Sequence, residues 1–223
     1  EWVKATGTTL GADNGIGVAA ALAVLEDKDL VHGPIEALFT IDEETGMTGA
    51  FGLKAGELEG DILLNLDSET EGELYVGCAG GIDATIRFDF KKEAMPSSYS
   101  AFELTVKGMK GGHSGMDIIL GRGNANKTLF RILKALEAVD VRLGNINGGS
   151  LRNAIPREAF CTIAVPTDKA QEAMNIVKEL EAVVKSELSA VEPDLIITMT
   201  EASSCEFVMD TDAAKRVVRA IYA

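Results

Sequence analysis

The stretch Ile35-Glu36-Ala37-Leu38-Phe39-Thr40-Ile41-Asp42-Glu43-Glu44 decides how the first part of this chain reads. Gly33-Pro34 breaks the backbone before it, and the short apolar run 35–41 then reads as a buried strand. Three acids follow directly at its carboxyl end. In open α/β sheets ligands gather outside the carboxyl ends of strands. Adjacent carboxylates there repel one another unless a cation, a basic group or a proton compensates. Taken alone, a solvated acidic loop is the simpler reading.

Upstream, 14–26 is Ala-rich and helical, with Asp13 or Asn14 placed to cap its start. Downstream, a short helix is expected over 48–55. Asp61-Ile62-Leu63-Leu64-Asn65-Leu66 then reads as a second buried strand, with Asp67 at its end. Strand, helix, strand at this spacing predicts an α/β layer with a parallel sheet. Parallel pairing would set Asp67 beside the acids at 42–44. Gly11-Ala12-Asp13-Asn14-Gly15 puts a further acid at the mouth of a helix, where an isolated Asp is more often a plain cap. Three acidic loop ends converging on one sheet edge suggest a carboxylate-rich site for divalent metals.

The texture changes after Gly80-Gly81. Residues 82–90 and 101–107 alternate apolar and polar, as half-exposed antiparallel strands do. Residues 124–139 form an amphipathic helix with Leu129, Ile132, Leu133 and Leu136 on one stripe. A strand is expected over 160–165, a long helix over 169–191, a further strand over 195–199 and a helix from Thr211 onward. The predicted organisation is α/β over 1–81 and α+β over 82–223.

Composition bounds the function. The 223 residues carry 35 Asp plus Glu against 21 Lys plus Arg, a formal charge of −14. So acidic a surface repels phosphate backbones, which argues against nucleic acid as a partner. No apolar run approaches the roughly 18–20 residues that span a bilayer. The start, Glu1-Trp2-Val3-Lys4, has neither an initiating Met nor a basic-then-apolar leader, so the true start is expected upstream. Cys78, Cys161 and Cys205 form no C-x-x-C pair, so reduced, buried thiols in a cytoplasmic protein are expected.

Zinc usually wants at least one imidazole or thiolate. The histidines are His32, before a Gly-Pro turn, and His113 in the glycine-rich Gly108-Met109-Lys110-Gly111-Gly112-His113-Ser114-Gly115. A histidine on such a loop suits stabilising a developing oxyanion, although a lone His is more often structural or simply exposed. In Gly148-Gly149-Ser150-Leu151-Arg152-Asn153-Ala154-Ile155-Pro156, Arg152 and Asn153 could grip a carboxylate or merely complete turn hydrogen bonds.

The runs Thr9-Leu10-Gly11-Ala12-Asp13-Asn14-Gly15, Thr40-Ile41-Asp42-Glu43-Glu44-Thr45-Gly46, Asn65-Leu66-Asp67-Ser68-Glu69, Gly111-Gly112-His113-Ser114-Gly115 and Arg152-Asn153-Ala154-Ile155-Pro156-Arg157-Glu158 occur in one order. That order resembles the aminoacyl-histidine (Xaa-His) dipeptidases of the two-zinc metallopeptidase superfamily. The resemblance implies a zinc-peptidase catalytic domain with a parallel-sheet core over 1–81. A ferredoxin-like α+β lid and dimerisation domain would begin at 82. It implies two Zn2+ per complete subunit, with Co2+ or Mn2+ as substitutes. Asp13 would bridge the metals, Glu44 and Asp67 would each bind one, and Glu43 would act as general base. His113 would steady the oxyanion, lent across a homodimer to the partner's site. Asn153, and less firmly Arg152, would hold the substrate.

The family also has a His-x-Asp motif before the bridging Asp and a zinc-binding His near its C-terminus. Neither is found here, so the chain reads as a piece of a longer protein and is expected to be inactive by itself. The parent activity implied is zinc-dependent hydrolysis of dipeptides of the Xaa-His type by a metal-activated water. Another peptidase or deacylase of the superfamily, or a non-catalytic metal-binding or dimerisation module, is the alternative.

Overall fold

The computed structural model describes residues 3–8, 10–68, 70–78 and 80–222. The chain divides into two compact units, Glu1–Ile82 and Asp83–Ala223.

The first unit contains helices α1 (Gly15–Glu26) and α2 (Thr48–Gly52). Asn14, rather than Asp13, caps α1: its side-chain oxygen accepts from the Gly17 amide at 3.0 Å. The runs 35–41 and 61–66 form neither helix nor strand, and the described residues of this unit pair into no ladder. The strands expected there are thus not paired among the described residues. Apolarity makes a run suitable for a sheet, but a strand exists only where a neighbour takes its backbone hydrogen bonds. Ile62, Leu63 and Leu64 accordingly stay 83%, 80% and 79% exposed. Gly17 is the only buried residue among those described in this unit.

The second unit holds the buried core. Its strands are β1 (Lys92–Glu93), β2 (Tyr99–Lys107), β3 (Arg142–Gly148), β4 (Ala159–Pro166), β5 (Ile196–Glu201) and β6 (Val208–Met209). Its helices are α3 (Ala125–Leu136), α4 (Ala170–Glu187) and α5 (Thr211–Tyr222). β3, β4, β2 and β5 lie in that order in one antiparallel sheet, and β1 pairs with β6. The chain order β2-α3-β3-β4-α4-β5 on this sheet is the ferredoxin-like arrangement, so the molecule is a mixed helix-and-sheet protein with an α+β second unit.

Alternation in the strands builds the core. Phe102, Leu104 and Val106 of β2 join Cys161, Ile163 and Val165 of β4 on the face that receives Leu129, Ile132, Leu133 and Leu136 of α3. Ala101 and Ala164 point the other way, to Cys205 and Val208. The α3 stripe repeats at the three- and four-residue spacing of one helix face.

Three expectations change here. Residues 82–90 form no strand, and only Lys92–Glu93 pairs, at the margin. α4 ends at Glu187 rather than 191. Among the cysteines, Cys161 and Cys205 are buried as expected, but Cys78 is exposed, so the expectation of buried thiols fails there. No helix among the described residues is long and apolar enough to cross a membrane.

Candidate active site

The predicted site residues fall into two sets, one in each unit. In the first unit the start of α1 is tied to the end of the 61–66 segment. Asn14 donates from its side-chain amide to the Leu66 carbonyl at 2.7 Å while capping α1 with its oxygen. Asp13 and Asp67 are the chain neighbours of these two partners, so one hydrogen bond brings their loops together; both acids are exposed. Gly17 makes the approach feasible, since a Cβ there would stand 3.1 Å from the Leu66 Cβ and 2.5 Å from the Asn14 amide nitrogen.

The acids at 42–44 do different things. Asp42 takes a left-handed backbone, φ 63°, and is consumed by its own turn. Its carboxylate accepts from the Thr45 hydroxyl and, at 2.8 Å, from the Thr48 hydroxyl, and its carbonyl accepts from the Met47 amide at 2.6 Å. Glu43 and Glu44 are exposed, and their side chains have no hydrogen bond or ion pair among the described residues. They are the acids of this run left available for a ligand.

Carboxylates alone suit hard cations, whereas zinc favours a set that includes imidazole or thiolate. Of the histidines, His32 is exposed and its Nδ1 lies 2.6 Å from the Gly33 carbonyl, and His113 belongs to the second unit. Among the described residues no three of His, Cys, Asp or Glu gather as a group able to hold an ion. Asp13, Glu44 and Asp67 as placed do not make a complete metal site.

In the second unit the structure assembles what the sequence left apart. His113 and Ala154 form an isolated antiparallel bridge. Around it the Ser114 amide donates to the Asn153 carbonyl at 2.8 Å and the Ile155 amide to the Gly112 carbonyl at 2.8 Å. His113 and Asn153 are thereby held side by side, both exposed. The imidazole is oriented by its own loop: Nδ1 accepts from the Gly115 amide at 3.0 Å and the Met116 amide at 3.2 Å. A neutral ring that accepts at Nδ1 carries its proton on Nε2, so His113 presents a hydrogen-bond donor outward. That is the polarity an oxyanion requires.

Two residues that sequence reasoning passed over brace this loop. Asp117 accepts from the His113 amide at 2.8 Å, and Arg122 donates to the Gly111 carbonyl at 2.7 Å while pairing with Asp117 at 3.3 Å. The signal was a charged pair flanking the glycine run, which sequence alone does not separate from a solvated face. Arg152 is spoken for: it pairs with Asp83, both partners being well exposed. Such a surface pair contributes about 0–1 kcal/mol, so a ligand carboxylate could displace Asp83. A groove of about 460 Å3 runs beside the bridge, lined among others by Lys110, Gly112, Leu151 and Arg157.

Residues 104–192 match the family model of the peptidase dimerisation domain, M20_dimer. Over 205 residues, 92% of this chain, the sequence is 55% identical to the cytosol non-specific dipeptidase of Escherichia coli (strain K12), covering 42% of that protein. The N-acetyl-L-cysteine deacetylase of Bacillus subtilis (strain 168) is 28% identical over 78% of this chain and 41% of its own length. Among solved structures, the aminoacylhistidine dipeptidase from Vibrio alginolyticus superposes with a TM-score of 0.79 at 52% identity, over 100% of this chain and 46% of that one. The chain thus spans under half the length of these relatives. Its likeness to the M20 dipeptidases runs through nearly all of it.

Proposed function

We propose that this chain is part of a metal-dependent dipeptidase, with 1–81 belonging to the catalytic domain and 82–223 to a lid that grips the peptide and pairs with a second copy. The observation that carries this reading is the backbone bridge between the His113 and Asn153 loops. It supports a shared task for two residues that separate motifs singled out. The match of 104–192 to a dimerisation domain supports a homodimer through the second unit.

Glu43, exposed and unpaired among the described residues, takes a proton from the attacking water. His113 donates from Nε2 to the carbonyl oxygen as it gains charge. Asn153 holds the peptide's backbone or terminal carboxylate, and Arg152 joins it by exchanging Asp83 for the substrate. Asp13, Glu44 and Asp67 contribute carboxylates to divalent metals, zinc foremost, alongside donors from outside this group. When bound there, the metals would lower the pKa of a water and polarise the scissile carbonyl. The location proposed is the cytoplasm, in keeping with the E. coli relative, a cytosol dipeptidase.

Substrates are proposed to be dipeptides in general, with Xaa-His among them, since the E. coli relative is described as non-specific and the Vibrio relative as acting on aminoacylhistidine. The test is hydrolysis by the full-length protein of a panel holding Xaa-His dipeptides, other dipeptides and N-acyl amino acids, with and without a chelator. Turnover of dipeptides that the chelator abolishes is expected. Turnover of N-acyl amino acids alone would replace this reading with a deacylase. The 223 residues by themselves are proposed to be inactive, and zinc-dependent turnover by this chain would overturn that.

A further inference from the structure

We propose that Glu192 is a positioning residue for the His113 loop, holding both of its ends through one buried carboxyl group. This rests on the reading that His113 serves the reaction.

Glu192 lies between α4 and β5 and is 2% exposed. One of its side-chain oxygens accepts from the Lys110 amide at 2.8 Å and the other from the Gly123 amide at 2.9 Å. These amides bracket the segment that contains Gly112, His113, Asp117 and Arg122. No ion pair to Glu192 exists among the described residues. Taking a carboxyl group out of water is costly, so an apolar side chain would serve mere filling better. What a carboxyl group adds is two acceptors at a fixed spacing, which sets the distance between two amides.

The same connection presses on the loop at two further points. Gly108 has φ +82°, and a Cβ there would lie 2.0 Å from the Asp194 carbonyl oxygen. At Gly123 a Cβ would lie 3.0 Å from Leu188 Cδ1. Both shoulders of the loop therefore rest on residues 188–194. From these fixed ends the restraint continues inward. Arg122 holds the Gly111 carbonyl, Asp117 holds the His113 amide, and the Gly115 and Met116 amides hold the ring. Glu192 is itself almost fully buried, so its effect passes through backbone to imidazole.

The experiment compares the full chain with Glu192→Gln and Glu192→Ala by amide hydrogen exchange and by the 15N signals of the His113 imidazole. In Glu192→Gln one acceptor becomes an N–H donor facing an amide. Exchange at Lys110 or Gly123 is expected to rise about tenfold or more, the scale of one charge-assisted hydrogen bond. The His113 ring signals are expected to shift or broaden while exchange in β2 and β4 is unchanged. Glu192→Ala should do the same more strongly, and if it does not fold the Gln variant decides. A Gln variant with wild-type ring signals and wild-type exchange across 110–123 would overturn the proposal, whatever its melting temperature. Failure of the dipeptidase reading would show separately, as absence of turnover by the wild-type full-length protein, and leaves these readouts intact.

Discussion

The Ser114 amide donates to the Asn153 carbonyl at 2.8 Å, and through that bond the glycine-rich loop and the Arg152-Asn153 turn become one surface. Neither loop has this geometry locally, since each supplies half of an antiparallel bridge. A short two-sided ladder fixes the direction in which adjacent side chains leave the backbone. His113 can therefore be exposed and yet oriented.

Replacing His113 by Ala in the full-length protein is expected to lower kcat about 10²–10³-fold, the usual loss for one oxyanion donor. The ring is exposed and its loss frees only the Gly115 and Met116 amides to water, so the melting temperature should change little. An unchanged kcat for dipeptides would remove His113 from the reaction.

Glu43→Gln should cost about 10²–10⁴ in kcat, the range of a general base, and leave the fold untouched because no described contact is lost. Asp42→Asn is the contrasting variant. It should disturb stability of the turn more than chemistry, since the Asp42 carboxylate accepts from the Thr45 and Thr48 hydroxyls. Equal losses of turnover in both would undo the division of roles.

Thiol titration separates the cysteines. Burial pushes the Cys161 thiol far up, with the neighbouring Cys205 adding to it, and burial raises Cys205 as well. Cys78 is exposed. A disulfide reagent near pH 8 should modify Cys78 rapidly and reach the other two only after denaturation. Fast modification of Cys161 in the native chain would contradict its burial.

Asp210 contributes to the acid limb of stability. Its carboxylate accepts from the Lys91 amide at 2.7 Å and the Ala213 amide at 2.9 Å, which hold it below its ordinary 3.8. Below 3.8 the unfolded chain binds this proton before the folded one does, so stability rises with pH there. The contribution is complete above that value and is lost as pH falls through the lowered folded one. Denaturation midpoints followed from pH 5 downward should show a shallower acid loss in Asp210→Asn. A slope equal to wild type would assign the limb to other acids.

The core sits in the second unit, so truncations should divide accordingly. Leu104→Ala, at a fully buried position of β2, is expected to cost about 2–5 kcal/mol. Leu63→Ala, 80% exposed, should stay within about 0.5 kcal/mol. Chemical denaturation of both variants checks this, and comparable losses would mean that the 61–66 segment packs in solution.

Helices were legible from the sequence because their signals are local. The α1 cap at Asn14 and the α3 stripe through Leu129, Ile132, Leu133 and Leu136 depend on neighbours within a turn or two. Strands were less so. β3 went unread because Gly144, Asn145, Asn147 and Gly148 are poor strand formers, and it is a strand through its pairing with β4, irregular between Leu143 and Ile146. The runs 35–41 and 61–66 failed in the opposite way: they look like strands and have no partner among the described residues.

The candidate site divides along the same line. The sequence by itself determined which side chains are chemically able, namely the acids Asp13, Glu43, Glu44 and Asp67 with His113, Arg152 and Asn153, because functional group and motif order are properties of the chain. Only the tertiary structure decided that Asp42 is spent on its turn, that Arg152 faces Asp83 and that His113 Nδ1 accepts from its own loop's amides. It alone brought in Asp117, Arg122 and Glu192, whose hydrogen bonds join or brace backbone brought close by folding. A hydrogen bond needs its partners within about 3 Å, and only the folded chain sets that distance.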